Sequence, residues 1–313
     1  MAASMRMLNL LRRVPLYCAV VNRYADPDAT NFLINRGCQR IPNLPLDCYT
    51  AMSTGSGPLE SSESNSHTPI TPFPPSPQTK DKLLYYYVMD ISSLLPVLAL
   101  SPEADHSVLD LCAAPGGKAF ALLQFLSLGR VRGGSVALND SSHGRLKRLK
   151  EVVAKCLPKE MRCSVRFTQR RGEEWAKIEQ NSYDRVLVDV PCSSDRHNAD
   201  EWIKKDNIAY PNAKMFSDLQ QKLLHAALHA AKLNGLVAYS TCTLSEMEND
   251  AVVLNTLTKA REDGIDLKIL PSEEVYSPLL ANCNWIKTET GTLVVPTDIK
   301  NCGPMFTSLI QRC

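Results

Sequence analysis

Beyond about residue 80 the chain alternates short apolar runs of strand length with longer stretches whose apolar positions recur at helical spacing. The runs predict strands at Val108–Cys112, Ser135–Asn139, Cys163–Thr168, Arg185–Val190 and Leu236–Cys242, with later ones near Asp266–Leu270 and Thr292–Val295. The helical spacing predicts helices over Lys82–Leu95, Gly117–Leu126, Arg145–Lys155, Ala213–Lys232 and Glu246–Arg261. Strands separated by helices of this length need crossover connections, hence a mostly parallel sheet covered on both faces. Ligands of such sheets bind beyond the carboxyl ends of the strands.

Two flanking stretches break this pattern. The first 24 residues carry Arg6, Arg12, Arg13 and Arg23 and no acid, with Met5, Leu8, Leu11 and Val14 near helical spacing. They read as a mitochondrial transit peptide or as a docked first helix. From Ser53 to Thr79, 19 of 27 residues are Ser, Thr, Pro or Gly. That composition buries too little apolar surface to offset its ordering entropy and predicts a disordered linker. The expected organisation is an extension over 1–52, a linker over 53–79 and a domain over 80–313.

Composition narrows the class. The 313 residues are 44% hydrophobic and 22% charged, and no run approaches the length of a membrane span. Eleven cysteines, with no C-x-x-C pair and no Cys/His cluster of zinc-ligand spacing, point to reduced thiols and to no metal. A net charge of +2 conceals ten Lys or Arg against two acids between Arg145 and Arg171. Arg145, Lys147, Arg148, Lys150, Arg166 and Arg170 are therefore candidate RNA contacts. The competing reading is the solvated face of a helix whose apolar side is Leu146, Leu149, Val152, Val153 and Cys156.

The chemistry stands at the strand ends. Val108–Cys112 runs into Ala113-Ala114-Pro115-Gly116-Gly117-Lys118 and then a helix, a turn of small residues that lets a ligand approach the backbone. It is neither a P-loop nor a G-x-G-x-x-G fingerprint. The next strand ends in Asn139-Asp140, where an acid either accepts ribose hydroxyls or caps the following helix. Two further strands end in cysteine, Val188-Asp189-Val190-Pro191-Cys192 and Tyr239-Ser240-Thr241-Cys242. A thiolate is the natural nucleophile for an electron-poor ring carbon.

Three long segments in this order resemble the NOL1/NOP2/Sun family of RNA cytosine-5 methyltransferases: Leu109–Lys118, Tyr183–Ser193 and Tyr239–Leu244. The resemblance implies a Rossmann-like, doubly wound sheet of the class I S-adenosylmethionine-dependent methyltransferases. It implies a cofactor site at Cys112, Ala113, Ala114, Pro115, Gly116, Gly117, Lys118, Asp140 and Asp189. It makes Cys242 the nucleophile toward cytosine C6, Asp189 the group at N3 and Cys192 the aid to proton removal or product release, with Lys118 lowering the pKa of the nucleophile. The stretches Tyr86–Asp90, Leu94–Leu100, Asp195–His197 and Gly303–Met305 look most like mitochondrial members. Asp189-Val190-Pro191-Cys192 leans toward the small-subunit rRNA type, and Tyr17–Arg40 reads more like the mitochondrial tRNA type. A matrix location and a helical-repeat partner of the mitochondrial termination-factor class are implied with the rRNA type. One departure stands out: relatives place an acid just before the glycine aligned with Gly172, and here it is Arg171. Glu173 or Glu174 takes over that role, or cofactor affinity is lost. In the latter case the chain would be a catalytically silent RNA-binding or ribosome-assembly module.

Overall fold

The computed structural model describes residues 2–25, 28–51, 73–129, 133–205, 208, 210–271 and 277–313. A first helix, α1 (Ala2–Arg12), leads into β1 (Tyr17–Val21), α2 (Asp28–Ile34), β2 (Gln39–Arg40), β3 (Cys48–Thr50) and β4 (Tyr86–Asp90). These strands form an antiparallel sheet in the order β2-β3-β1-β4. There follow α3 (Leu95–Leu100), β5 (Ser107–Asp110), α4 (Gly117–Leu123), β6 (Ser135–Asn139), α5 (His143–Cys156), β7 (Val165–Thr168), α6 (Trp175–Ile178) and β8 (Tyr183–Asp189). The chain continues through α7 (Asp195–Lys204), α8 (Ala213–Ala230), β9 (Ala231–Thr241), α9 (Asp250–Glu262), β10 (Leu267–Leu270), α10 (Ser277–Leu280), β11 (Trp285–Lys287), β12 (Thr292–Val294) and β13 (Met305–Arg312).

The large sheet runs β11-β12-β13-β9-β8-β5-β6-β7, with β10 also paired to β13. Strands β9, β8, β5, β6 and β7 are mutually parallel, and β13 is antiparallel to each neighbour. Its strands are apolar without interruption because successive side chains enter two different cores. Val108 and Leu187 face the side of α3, α4 and α5, whereas Leu109, Val186 and Val188 face α8 and α9. From β5 the chain winds outward to β6 and β7, then returns to place β8 on the other flank of β5. The carboxyl ends of β5 and β8 thus bound a crevice at the point where the winding reverses, the usual ligand position in such sheets.

Several expectations are corrected. Lys82–Leu95 is not a helix: Tyr86–Asp90 is β4, followed by a 3₁₀ turn, and the helix begins at Leu95. The cause is tertiary, since β4 pairs with β1 over five residues and Tyr86 is wholly buried. β13 escaped the pattern reading because Thr307 and Ser308 interrupt its apolar run, yet both are buried, Ser308 donating to the Thr290 carbonyl at 2.6 Å. Residues 53–72 of the expected linker lie outside the described residues. Residues 73–79 are packed: Phe73 is buried and the Tyr86 hydroxyl donates to the Pro74 carbonyl at 2.7 Å. A boundary near residue 80 therefore does not separate two bodies, because Cys18, Val20, Cys48 and Met89 share one core with Leu98, Phe120 and Leu149.

Of the two readings of the amino terminus, the structure presents the docked helix. Leu8 and Leu11 of α1 are buried against Ala199 and Trp202 of α7. Arg196 of α7 donates to the carbonyls of Leu11 and Arg13, each at 3.0 Å, and so satisfies the open end of α1.

Candidate active site

The turn after β5 is shaped by Gly116, which holds φ +118°, where a Cβ would also come within 3.1 Å of Val152. With Tyr87, Met89, Asp110 and Asp189, the turn from Cys112 to Lys118 encloses a cavity of about 220 Å³. Tyr87 stacks on Phe120 of α4 with ring centroids 5.2 Å apart, which fixes one wall. Asp110 lies in the lining with both carboxylate oxygens buried and only the backbone of Cys112 near enough to donate to it. Burial, then the neighbouring Asp189, pushes its pKa up to about 8. A buried carboxyl with no cation bonded to it, beside a small-residue turn, gains a partner and ionises when a positively charged ligand enters, so the residues fit the sulfonium-bearing S-adenosylmethionine.

Asp140, at the end of β6, is used locally. Its Oδ1 accepts from the Ser142 backbone at 2.9 Å and its Oδ2 lies 3.4 Å from the Arg145 guanidinium, which also contacts the Ala114 carbonyl. Ser142, not Asp140, is the side-chain cap of α5. Arg171 is ion-paired with Glu173 at 2.5 Å, and Arg171 and Glu174 line an outer groove with Phe167–Arg170. Gly172 packs where a Cβ would come within 2.5 Å of Leu223.

At the other end of the cavity β8 and β9 run parallel with Asp189 opposite Ser240. Asp189 accepts from Lys118 Nζ at 2.9 Å through one oxygen and from Ser240 Oγ at 2.8 Å through the other. Burial acts to lower the Lys118 pKa, but Asp189 outweighs it and holds that pKa above the ordinary value, so Lys118 stays an ammonium. The loops beyond these strands bring Cys192 Sγ and Cys242 Sγ to 3.2 Å as free thiols. The two differ in direction. A hydrogen bond from Cys192 lowers the Cys242 pKa against the effect of burial, with smaller help from Ser194 and Lys118. The same bond, then burial, raises that of Cys192. Within the pair the hydrogen bond thus favours the proton on Cys192 and the charge on Cys242.

The loop carrying Cys192 is held by residues that the sequence reading missed. Glu248, fully buried, accepts from Ser193 N at 2.9 Å, Ser193 Oγ at 2.5 Å and Gln220 Nε2 at 3.1 Å. Gln220 of α8 also donates to the Pro191 carbonyl at 2.9 Å. Asp195, at the start of α7, accepts from Leu244 N at 2.8 Å and ties the loop to the one bearing Cys242; burial pushes its pKa up to about 6. Acids spaced along Glu246-Met247-Glu248-Asn249, just after Cys242, were the available signal. Asp110 lies inside the Leu109–Lys118 segment, where its side chain carries no signal of its own.

The basic residues do not act as one patch. Arg145 is occupied at the cofactor turn, and Arg166 is paired with Glu179 at 2.5 Å at the far edge of the sheet. Lys150 lies 5.7 Å from the Phe167 ring centroid. Lys147 and Arg148 are exposed on α5, and Arg170 is exposed after β7.

The chain is similar to known proteins over most of its length. A family model described as 16S rRNA methyltransferase RsmB/F matches residues 97–281. The 5-cytosine rRNA methyltransferase NSUN4 of Xenopus laevis is 41% identical over 301 residues, 93% of this chain and 67% of that protein. Its Mus musculus namesake is 39% identical across 78% of this chain and 64% of its own length. A mitochondrial tRNA (cytosine(34)-C(5))-methyltransferase of Danio rerio is 34% identical across 74% of this chain and 61% of its own. The chain thus spans about three fifths to two thirds of these relatives. A solved structure of NSun6 from Pyrococcus horikoshii with SFG superposes with a TM-score of 0.66 at 17% identity, covering 98% of this chain and 94% of that one. At that identity the likeness concerns the fold.

Proposed function

The chain belongs to the RsmB/F family of RNA methyltransferases, and on that premise we propose that it transfers a methyl group from S-adenosylmethionine to C5 of a cytosine in RNA. The supporting observation is the dithiol of Cys192 and Cys242 beside the Lys118–Asp189 pair, which itself lines a cavity suited to a cation. When bound, S-adenosylmethionine supplies an electrophilic methyl group. The target base leaves its stack to enter the site. The Cys242 thiolate adds to C6, forming a C–S bond, while the Lys118–Asp189 pair delivers a proton toward N3 and keeps charge from accumulating on the ring. C5 then carries the electron density that takes the methyl group.

Resolution falls to Cys192. Its raised pKa comes first from its neighbour, and that neighbour's charge is consumed once Cys242 is bonded to C6. Cys192 then ionises more readily and takes the C5 proton, the electron pair of that C–H bond restores the C5–C6 double bond, Cys242 leaves as thiolate, and the N3 proton returns to the Lys118–Asp189 pair. A device that loads the base only after addition separates the two thiols in time.

The substrate is a cytosine of mitochondrial small-subunit rRNA, and the protein works in the matrix in mitoribosome assembly. Identity is higher to the rRNA relatives, 41% and 39%, than to the tRNA relative, 34%. A helical-repeat protein of the mitochondrial termination-factor class serves as partner for RNA delivery. The exposed Lys147, Arg148 and Arg170 meet phosphates. Bisulfite sequencing of mitochondrial rRNA and tRNA with and without the protein tests activity and substrate together. Loss of one rRNA cytosine-5 mark is expected; loss confined to tRNA moves the substrate, and no loss removes the activity.

A further inference from the structure

On the side of α8 away from the catalytic loops, His225 and His229 stand one helical turn apart on the same face, with ring centroids 4.6 Å from each other. Asp263, immediately after α9, faces them: its Oδ2 is 2.6 Å from His225 Nε2 and 4.0 Å from His229 Nε2. One donor atom from each of the three residues falls within a single sphere of contact, all within 4.8 Å of one another. We propose that His225, His229 and Asp263 bind a divalent first-row transition-metal ion that staples the end of α8 to the end of α9.

The geometry suits such an ion. Metal bonds of about 2.0–2.2 Å to imidazole nitrogen and carboxylate oxygen, arranged tetrahedrally, place donors about 3.3–3.5 Å apart. The two measured separations bracket that value, and the Asp263 side chain, 42% exposed, has room to turn. Two imidazoles and one carboxylate select Zn²⁺, Co²⁺, Ni²⁺ or Cu²⁺ over Ca²⁺ or Mg²⁺, which prefer oxygen donors, and leave a position for water. The field is mixed but permissive. Both helices end here, so their partial negative charges face the site, while Arg312 spends its guanidinium on the carbonyls of His229 at 3.2 Å and Ala231 at 2.8 Å. Lys259 is the other cation beside Asp263. The sequence reading found no metal spacing because His225-x₃-His229 supplies two ligands and the third is 34 residues further on. A bound ion would clamp the helix that carries Gln220 to the helix that follows Glu248, and so act on the catalytic loop at a distance.

The full-length protein, freed of metal, is titrated with Co²⁺ and its visible spectrum followed, thiolate ligation being recognised by its own charge-transfer band. The expected result is one equivalent bound without thiolate character, weakened at least tenfold in His225→Gln/His229→Gln and also weakened in Asp263→Asn, with a Zn²⁺-induced rise in Tm that the double variant lacks. Because these side chains are partly exposed, circular dichroism of the variants should match the parent. Equal binding and an equal Tm rise in parent and double variant, or binding that always carries the thiolate band, would overturn the site.

Discussion

Cys242 and Cys192 are hydrogen-bonded to each other, and their roles separate on substitution. Cys242→Ala should abolish methyl transfer and leave S-adenosylmethionine binding intact, since the thiolate activates C5 and does not hold the cofactor. Cys192→Ala should accumulate a covalent protein–RNA adduct on denaturing gels, because addition proceeds and resolution fails; adduct formation by Cys242→Ala would reverse the assignment. The thiolate population of Cys242 falls as pH falls through its depressed pKa, so adduct formation declines on the acid side. In Cys192→Ala, which lacks the hydrogen bond that lowers that pKa, this limb should shift to higher pH. Asp110 carries a separate test. Its carboxyl ionises at about 8 in the folded protein, so affinity for a cationic cofactor should rise as pH rises through that value, with release of a proton. Asp110→Asn should flatten the dependence and weaken binding by about tenfold or more by calorimetry, on the order of 1.5–3 kcal/mol for a lost charge-assisted contact.

Among the elements, the loop between β8 and α7 is held from α8 and from the 3₁₀ turn that precedes α9. Glu248→Gln replaces an acceptor by an NH₂ group facing Ser193 N–H or Oγ–H, and should cost about 1–3 kcal/mol in chemical denaturation. Its effect on turnover should resemble a weak Cys192 defect, with slow release of adduct, because Ser193 is the residue next to that thiol. Equal slowing of addition and release would mean that the carboxylate supports the whole site rather than this loop. Helix α5 presents Lys147 and Arg148 to solvent while Arg145 is engaged. Lys147→Gln/Arg148→Gln should weaken RNA binding alike for target and non-target strands and reduce the salt slope by about 0.7 per lost contact. An unchanged slope would mark this face as solvated or as a protein-docking surface.

At the scale of the molecule, the amino-terminal sheet and the large sheet share one core. Residues 80–313 expressed alone should therefore not give a cooperative unfolding transition, since β4 would lose β1 and the core would lose Cys18, Val20 and Cys48. Leu8→Asp, placing a charge on α1 against Trp202, should lower Tm and loosen α7, whose first residue Asp195 reaches the Cys242 loop. A stable, cooperative 80–313 fragment would restore the boundary that the Ser/Thr/Pro-rich stretch suggests.

What the amino-acid order determined by itself was local and repetitive. The apolar run of β5, the small turn through Gly116 and the thiols after β8 and β9 are each written in a few adjacent residues, because a strand buried on both faces and a tight ligand turn leave little freedom in side-chain type. The family resemblance followed from three such segments. Tertiary structure decided the rest. β4 is a strand only because β1 lies beside it, β13 runs as a strand through Thr307 and Ser308 because β9 pairs with its backbone there, and α1 is buried only because α7 offers Ala199 and Trp202. Glu248 and Asp110 stayed illegible for the same reason: a carboxylate acquires its role from donors or a cavity that converge from distant elements, and from burial that no single segment encodes.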